Sequence, residues 1–326
     1  MAHHIDLGIV VVSWNVREHL RRCLRSIDES LGGRRIIYRT VVVDNASHDG
    51  SAEMVRGEFP HVEIIANATN RGFAGGNNDG FRALGLLQAV GATRRVPRYV
   101  LLLNPDTEVA ADALPRLLHY IDRHADVIAV GPQLRYGDGS LQSSRRHFPS
   151  IGTLFWESTL LEQWWPGNPW ARRYRMETRS PTGEQTVDWL VGAALLVRAA
   201  AIERSGGLDE GFFMYSEELE WQARLARDHR REGGRIVYLA GAVVIHHEGR
   251  SSEQDLARRQ INFNRSKLRY ARMRWGPHVA LVLRIFLLVC FMLQAAIEAG
   301  KWVLGHKRRM RAARVREYVQ VLASGL

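Results

Sequence analysis

Cysteine is almost missing from this chain of 326 residues. Only Cys23 and Cys290 occur, far apart, so there is no CxxC pair, no thiol metal-ligand spacing and no disulfide framework. A reducing cytoplasm is the compartment expected. Lysine is scarce too: Lys267, Lys301 and Lys307 stand against 42 arginines, an excess read as genomic base-composition bias. No apolar run of signal-peptide length precedes Leu7, so the N-terminus is expected to stay in the cytosol. Neither GxGxxG after the first apolar run nor GxxxxGK(S/T) occurs, which sets aside the dinucleotide fingerprint and the P-loop. A dehydrogenase of doubly wound type loses its main support with them. Internal repeats and low-complexity tracts are also absent.

What is present is enough apolar material for a sizeable core, 46% hydrophobic residues against 24% charged, which excludes disorder and fibrous classes. The formal net charge of +11 looks like a nucleic-acid signal until it is divided along the chain. From Arg250 onward 16 Lys+Arg face 4 Asp+Glu, a net of +12, whereas residues 1–249 carry 29 basic against 30 acidic. The basicity belongs to the last quarter alone.

Through the first part of the chain, short β-branched runs alternate with helical stretches. Leu7–Ser13 precedes an amphipathic segment to about Ser30, and Arg39–Val43 precedes Ser51–Gly57. Val62–Ala66 precedes Asn77–Val90, and Tyr99–Leu103 precedes Ala111–His124. Four such units predict an α/β fold with a mostly parallel, doubly wound sheet, in which ligands bind beyond the carboxyl ends of the strands. After about Val130 the connections become rich in Gly, Pro and aromatics, with Trp156, Trp164, Trp165 and Trp170 close together. This less regular half is expected on the substrate side. A further apolar run, Ile236–Ile245, is followed by a basic amphipathic stretch, Gln254–Trp275, an apolar run, Val279–Ala296, and a cationic tail, Lys307–Arg316.

The residues following the strands carry the chemistry. Leu103-Asn104-Pro105-Asp106 delivers a carboxylate at a strand end, where it can hold a hard divalent cation whose other ligands come from a diphosphate. The same residues are good turn and helix-cap chemistry. Val43-Asp44-Asn45-Ala46-Ser47 repeats the arrangement one unit earlier, suiting either a ribose or base contact or an Asx-turn. Asn70-Arg71-Gly72-Phe73-Ala74-Gly75-Gly76-Asn77-Asn78 opens a helix with glycines and one arginine, which suits an anion, or is a structural glycine turn. Tyr215-Ser216-Glu217-Glu218-Leu219-Glu220 sets adjacent carboxylates at a helix start, where one could accept a proton, or where the dipole simply favours acids. Glu217 and Glu220 share a helix face that Glu218 does not. Of the neighbours His246 and His247, at most one can complete a metal site, and both could be plain loop residues.

Together and in order, these segments, with Ser13-Trp14-Asn15, Gly192-Ala193 and Leu208-Asp209-Glu210-Gly211-Phe212-Phe213, resemble the inverting family 2 glycosyltransferases of GT-A fold. Within them the likeness is to bacterial rhamnosyltransferases of cell-envelope polysaccharide synthesis, over about residues 5–255. The resemblance implies that Asp44 binds the nucleoside, with Ser13, Asn15 and Asn45 near base or ribose, and that Arg71, Gly72, Asn77 and Gly192 line the nucleotide-sugar pocket. It implies that Asn104 and Asp106 bind the nucleotide sugar as well, Asp106 being the metal-binding aspartate and Asn104 standing where the family's DxD pattern begins. Glu218 matches the catalytic base, commonly Asp, with Glu217 beside it, and His246 the late metal ligand, His247 standing in reserve. A divalent metal, Mg²⁺ or Mn²⁺, a nucleotide-diphosphate sugar donor such as dTDP-rhamnose, and a lipid-linked or glycan acceptor follow as expectations. The alternative is a non-catalytic binder of nucleotide sugar or polysaccharide whose site has decayed, since Asn104 and Glu218 replace the usual aspartates.

The expected division is a transferase domain, 1–252, and a membrane-associating region, 253–326. Val279–Ala296 is at the lower edge of spanning length, and Arg284 at a bilayer centre would cost roughly 2.5–3.5 kcal/mol, so a helix in or near the interface is preferred over a span. The cluster Lys307-Arg308-Arg309-Met310-Arg311, with Arg314 and Arg316, suits an anionic leaflet. A peripheral place on the cytoplasmic face of the membrane is expected, no nucleic-acid partner is, and a homo-oligomer is left open.

Overall fold

The computed structural model describes residues 5–88, 95–247 and 256–326. The start of Gln254–Trp275 and the 252/253 boundary lie outside the described residues, while the helix expected over Asn77–Val90 already ends at Ala83. Two compact units make up the chain: one of Met1–Phe148, Arg179–Phe213 and Glu217–Ser251, the other of Pro149–Thr178, Met214–Ser216 and Ser252–Leu326.

The first unit begins β1 (Leu7–Ser13), α1 (Arg17–Leu31), β2 (Tyr38–Asp44), α2 (Ser51–Glu58), β3 (Glu63–Ala66), α3 (Gly72–Ala83) and β4 (Tyr99–Leu103). It continues with β5 (Thr107–Val109), α4 (Ala113–Arg123), β6 (Val127–Arg135) and β7 (Arg145–Arg146). The second unit takes the short helices α5 (Ile151–Trp156), α6 (Leu160–Trp164) and α7 (Pro169–Tyr174). The first resumes with β8 (Glu184–Val187), β9 (Trp189–Leu190), β10 (Ala194–Arg198), α8 (Ala199–Ser205), α9 (Glu217–Asp228) and β11 (Arg235–His246). The last three helices are α10 (Leu256–Trp275), α11 (Pro277–Val303) and α12 (Arg308–Ala323).

The main sheet has the order β3-β2-β1-β4-β10-β6-β11-β5, with β8 on β11. β3, β2, β1 and β4 are parallel, whereas β10 runs antiparallel between β4 and β6, with Ala194 opposite Leu103. Alternation along β1 divides its side chains between two faces. Leu7, Ile9 and Val11 enter a core with Leu20, Leu24 and Ile27 of α1 and Leu114, Leu117 and Ile121 of α4. Val10 and Val12 meet the glycines of α3. The sheet is thus covered on both sides, and its polar strand ends emerge together.

In the second unit α11 starts after Gly276, whose φ is +90°, with Pro277 in the first turn, where its missing N–H costs nothing. Leu154, Ala271, Leu283 and Leu287 form a small core. Trp156 stacks on Trp170 at 5.4 Å and Trp165 meets both edge-on, while Trp164 stands outside this trio and is largely exposed.

Candidate active site

At the ends of β1 and β2, Ser13 lies opposite Asp44, and Asn45 N donates to Ser13 O at 2.8 Å. Asn15 and Ala46 both take left-handed φ, which turns the two loops toward each other. Asn15 N donates to Ser47 Oγ at 2.9 Å and His48 N to Asn15 Oδ1 at 2.8 Å. Asp44 Oδ2 accepts from Ser47 N at 3.0 Å. Its Oδ1 and the Ser13 hydroxyl are buried with no partner among the described residues. Buried polar atoms are nearly always paired, so this carboxylate oxygen and hydroxyl stand out among the described residues.

The glycine-rich segment is itself the first turns of α3 and not a loop before it. A Cβ on Gly76 would stand 2.7 Å from Val12 Cγ1, and one on Gly80 2.3 Å from Val10 Cγ1, so these glycines let the helix lie close on β1. Gly72 has φ +71°, and a Cβ there would meet Phe213 O at 2.1 Å. Gly72 O accepts from Asn45 Nδ2 at 2.9 Å, and buried Asn77 donates to Phe73 O at 2.9 Å. Arg71 is not a free cation: it pairs with Asp79 and, at 2.8 Å, with Glu210. Asn78, which sequence reasoning passed over, bonds Leu208 through both amide atoms, N–H to Oδ1 at 2.9 Å and Nδ2 to O at 2.8 Å. It ties α3 to the loop leading toward Phe213.

Beyond β4 the chain turns at Asn104 into β5, and pairing of β5 with β11 sets Thr107 opposite His246. His246 Nε2 is 3.3 Å from Asp106 Oδ1 and 3.4 Å from Asn104 Nδ2. Its Nδ1 meets Gln142 Oε1 at 3.0 Å. Gln142 therefore holds the Nδ1 proton, and Nε2 faces Asp106 as an N–H when the ring is charged and as a lone pair when it is neutral. Asn104 Oδ1 is buried without a partner among the described residues. Burial opposes ionisation of Asp106, but the hydrogen bond and charge of His246 outweigh it and hold the carboxyl below its ordinary range. The His247 side chain turns away to Glu108 at 2.8 Å, so of the two histidines His246 faces Asp106. No cluster of three His, Cys, Asp or Glu suited to a metal exists among the described residues.

Immediately before α9, Tyr215 and Ser216 both adopt left-handed φ, 72° and 64°, which costs non-glycine residues energy and swings the chain into the helix. Glu217 is buried, Glu220 is paired with Arg224 at 2.9 Å, and Glu218 keeps partial exposure. A Cβ on Gly192 would lie 3.3 Å from both Cβ and Cγ of Glu218, so the Glu218 stem lies along this glycine. Burial raises the Glu218 carboxyl above the usual glutamate range, against the pull of the Glu218 and Gly192 amides and the Arg146 charge. Its Oε2 has no partner among the described residues. The next residue, Ala193, accepts from Asn104 N at 2.9 Å. Two consecutive residues thus link Glu218 to the Asn104-Asp106-His246 group. Gln222, fully buried and unforeseen, accepts from Leu190 N at 2.9 Å and donates to Leu190 O at 2.7 Å, clamping α9 to β9.

This architecture is that of a GT-A glycosyltransferase. The mannosyltransferase PcManGT from Pyrobaculum calidifontis aligns over 99% of this chain and 88% of its own, with a TM-score of 0.54 at 16% identity. GalNAc-T7 aligns over 99% of this chain and 57% of its own, with a TM-score of 0.56 at 12% identity. In sequence, the pattern of glycosyl transferase family 2 matches residues 8–202. The N-acetylglucosaminyl-diphospho-decaprenol L-rhamnosyltransferase of Mycobacterium tuberculosis is 31% identical over 295 residues, 87% of this chain and 92% of that relative. Rhamnosyltransferase WbbL of Escherichia coli is 29% identical over 157 residues, 47% of this chain and 54% of its own. The chain belongs to glycosyl transferase family 2 and is a glycosyltransferase resembling rhamnosyltransferases.

Proposed function

We propose that the chain transfers L-rhamnose from dTDP-rhamnose, with inversion, to a lipid-linked or glycan acceptor. The single observation that carries this reading is Glu218: a carboxylate with one enclosed, unpartnered oxygen, joined through Gly192 and Ala193 to Asn104, Asp106 and His246. The rhamnosyl donor and lipid-linked acceptor are supported by the named activity of the mycobacterial relative.

In the proposed mechanism Glu218 accepts the proton of an acceptor hydroxyl while that oxygen attacks the anomeric carbon. The new C–O bond forms as the bond to the diphosphate oxygen breaks, and the nucleoside diphosphate leaves with that electron pair. Asp44 Oδ1 and the Ser13 hydroxyl take the nucleoside's polar groups, with Asn15 and Asn45 shaping the loops that hold them. Gly72, Asn77 and Gly192 line the sugar side, and Arg71 positions α3 through Asp79 and Glu210. Asp106 Oδ1 and His246 Nε2, 3.3 Å apart with Asn104 beside them, are the oxygen and nitrogen donors that would hold Mg²⁺ or Mn²⁺ together with the donor's diphosphate. Bound there, a divalent ion supplies charge neutralisation to the leaving group. Residues 1–252 act as the transferase domain, and 253–326 attach it to the cytoplasmic face of the membrane.

Full-length chain incubated with dTDP-rhamnose, a divalent cation and a polyprenyl-diphosphate-linked N-acetylglucosamine is expected to yield the rhamnosylated lipid. Retention of nucleotide-sugar binding with no transfer to any lipid-linked or glycan acceptor would leave a binding protein in place of an enzyme of this specificity.

A further inference from the structure

The transfer chemistry leaves the outward face of α11 without a purpose. Leu283, Leu287, Cys290, Phe291 and Glu298 are buried along one side of this helix. The opposite arc carries Leu281, Ile285, Val289, Met292, Leu293 and Ile297, all exposed, Met292 to 56%. At 3.6 residues per turn they make one continuous apolar band, and Arg284, Glu298 and Lys301, the formal charges of the helix, all fall outside it.

Among the described residues α11 is long and apolar enough to cross a membrane, but α12 argues against a crossing. The chain reverses after Val303 and α12 returns beside α11. Arg311 is buried against Glu298, Phe291 meets Tyr318 at 6.1 Å, and Arg284 Nε donates to Gly325 O at 2.7 Å. These contacts run from near the C-terminal end of α11 back to its second turn. A spanning α11 would therefore carry Arg308, Arg309, Arg311, Arg314 and Arg316 alongside it to hydrocarbon depth, where cations are costly. Lying flat, the same hairpin turns its apolar band to the acyl chains and leaves the exposed Arg308, Arg309, Arg314 and Arg316 at the level of lipid phosphates.

We infer that α11 and α12 form an in-plane hairpin on an anionic leaflet, with the α11 band immersed and neither end of α11 crossing. This rests on the proposed membrane attachment of residues 253–326 and commits it to one geometry.

The full-length chain, carrying His278→Cys or Leu304→Cys, is added to preformed phosphatidylcholine vesicles with and without phosphatidylglycerol. Bound protein is then treated with a membrane-impermeant maleimide. Flotation with the anionic vesicles and labelling of both ends is the expected result. Flotation with one end protected overturns the in-plane geometry while leaving membrane attachment standing; no flotation removes attachment itself. Val289→Glu and Met292→Glu alter exposed positions, so the fold is retained by circular dichroism and flotation is lost. Wild-type flotation of both, or a lipid-free dimer that hides the band, would overturn the inference.

Discussion

Replacing Gln222 by methionine tests how the proposed base is located. The substitution nearly conserves volume, so the cavity contribution is small. What it removes is specific: Leu190 N–H loses its acceptor at 2.9 Å and Leu190 C=O its donor at 2.7 Å, at a side chain with no solvent exposure. Each buried backbone group left unsatisfied costs about 1–3 kcal/mol, so together they should lower unfolding stability by about 3 kcal/mol once partial relaxation is allowed. Urea unfolding should show an earlier midpoint with an unchanged slope. Because Gln222 lies one turn beyond Glu218, freeing α9 from β9 lets Glu218 drift on Gly192. A displacement near 1 Å costs on the order of 100-fold in rate, so kcat should fall by about 10- to 100-fold. The nucleotide Kd should stay within about twofold, because the Asp44 and Ser13 loops are untouched. Gln222→Glu keeps the acceptor for Leu190 N–H but sets an acidic oxygen against Leu190 O in a fully buried place, so it should not restore the lost stability. Wild-type kcat in a destabilised Gln222→Met protein, or equal losses in kcat and nucleotide affinity, would refute the positioning role.

Glu218→Gln should reduce transfer by about 10²- to 10⁴-fold while calorimetric binding of the nucleotide is retained; wild-type turnover would dismiss the base assignment. Since this carboxyl is raised by burial and works deprotonated, turnover in the wild type should be lost as pH falls through that raised value, with an acid limb above that of an ordinary exposed glutamate. Gln142→Leu removes the partner of His246 Nδ1 and should weaken Mn²⁺-supported nucleotide binding by about 10- to 100-fold in a metal titration, with metal-independent binding unchanged. Gly72→Ala combines an unfavourable φ with a Cβ driven onto Phe213 O, so its thermal midpoint should fall clearly below that of Gly57→Ala, whose Cβ meets nothing within 4 Å.

The strands were legible because buried parallel strands read as unbroken β-branched runs ending at polar residues: β1 and β4 take the bounds expected for Leu7–Ser13 and Tyr99–Leu103. Strand direction is not written in such runs, so antiparallel β10 was invisible. The start of α3 was hidden by glycines, poor helix formers kept here because β1 lies so close to them. Asp44, Asn104, Asp106, Glu218 and His246 could be picked out because their neighbours in sequence form recognisable segments. Gln142, Asn78 and Gln222 could not, because their partners, His246 and the backbone of Leu208 and Leu190, lie far away along the chain. Of the two carboxylates that neutralise Arg71, Glu210 is likewise 139 residues distant, whereas Asp79, eight residues on, is within reach of the sequence.

The two departures from the family's usual aspartates have separate physical settings. At Glu218 the added methylene lies along Gly192, where a Cβ would crowd Cβ and Cγ of the glutamate at 3.3 Å; the missing side chain of the glycine provides room for the longer one. At Asn104 an aspartate would place a second carboxylate beside Asp106, which is already ionised against burial by its contact with His246. The amide instead sets Nδ2 3.4 Å from His246 Nε2 and leaves Oδ1 uncharged and buried, with no partner among the described residues. In the proposed mechanism both positions thus keep an oxygen, Glu218 for the proton of the acceptor and Asn104 beside Asp106 and His246.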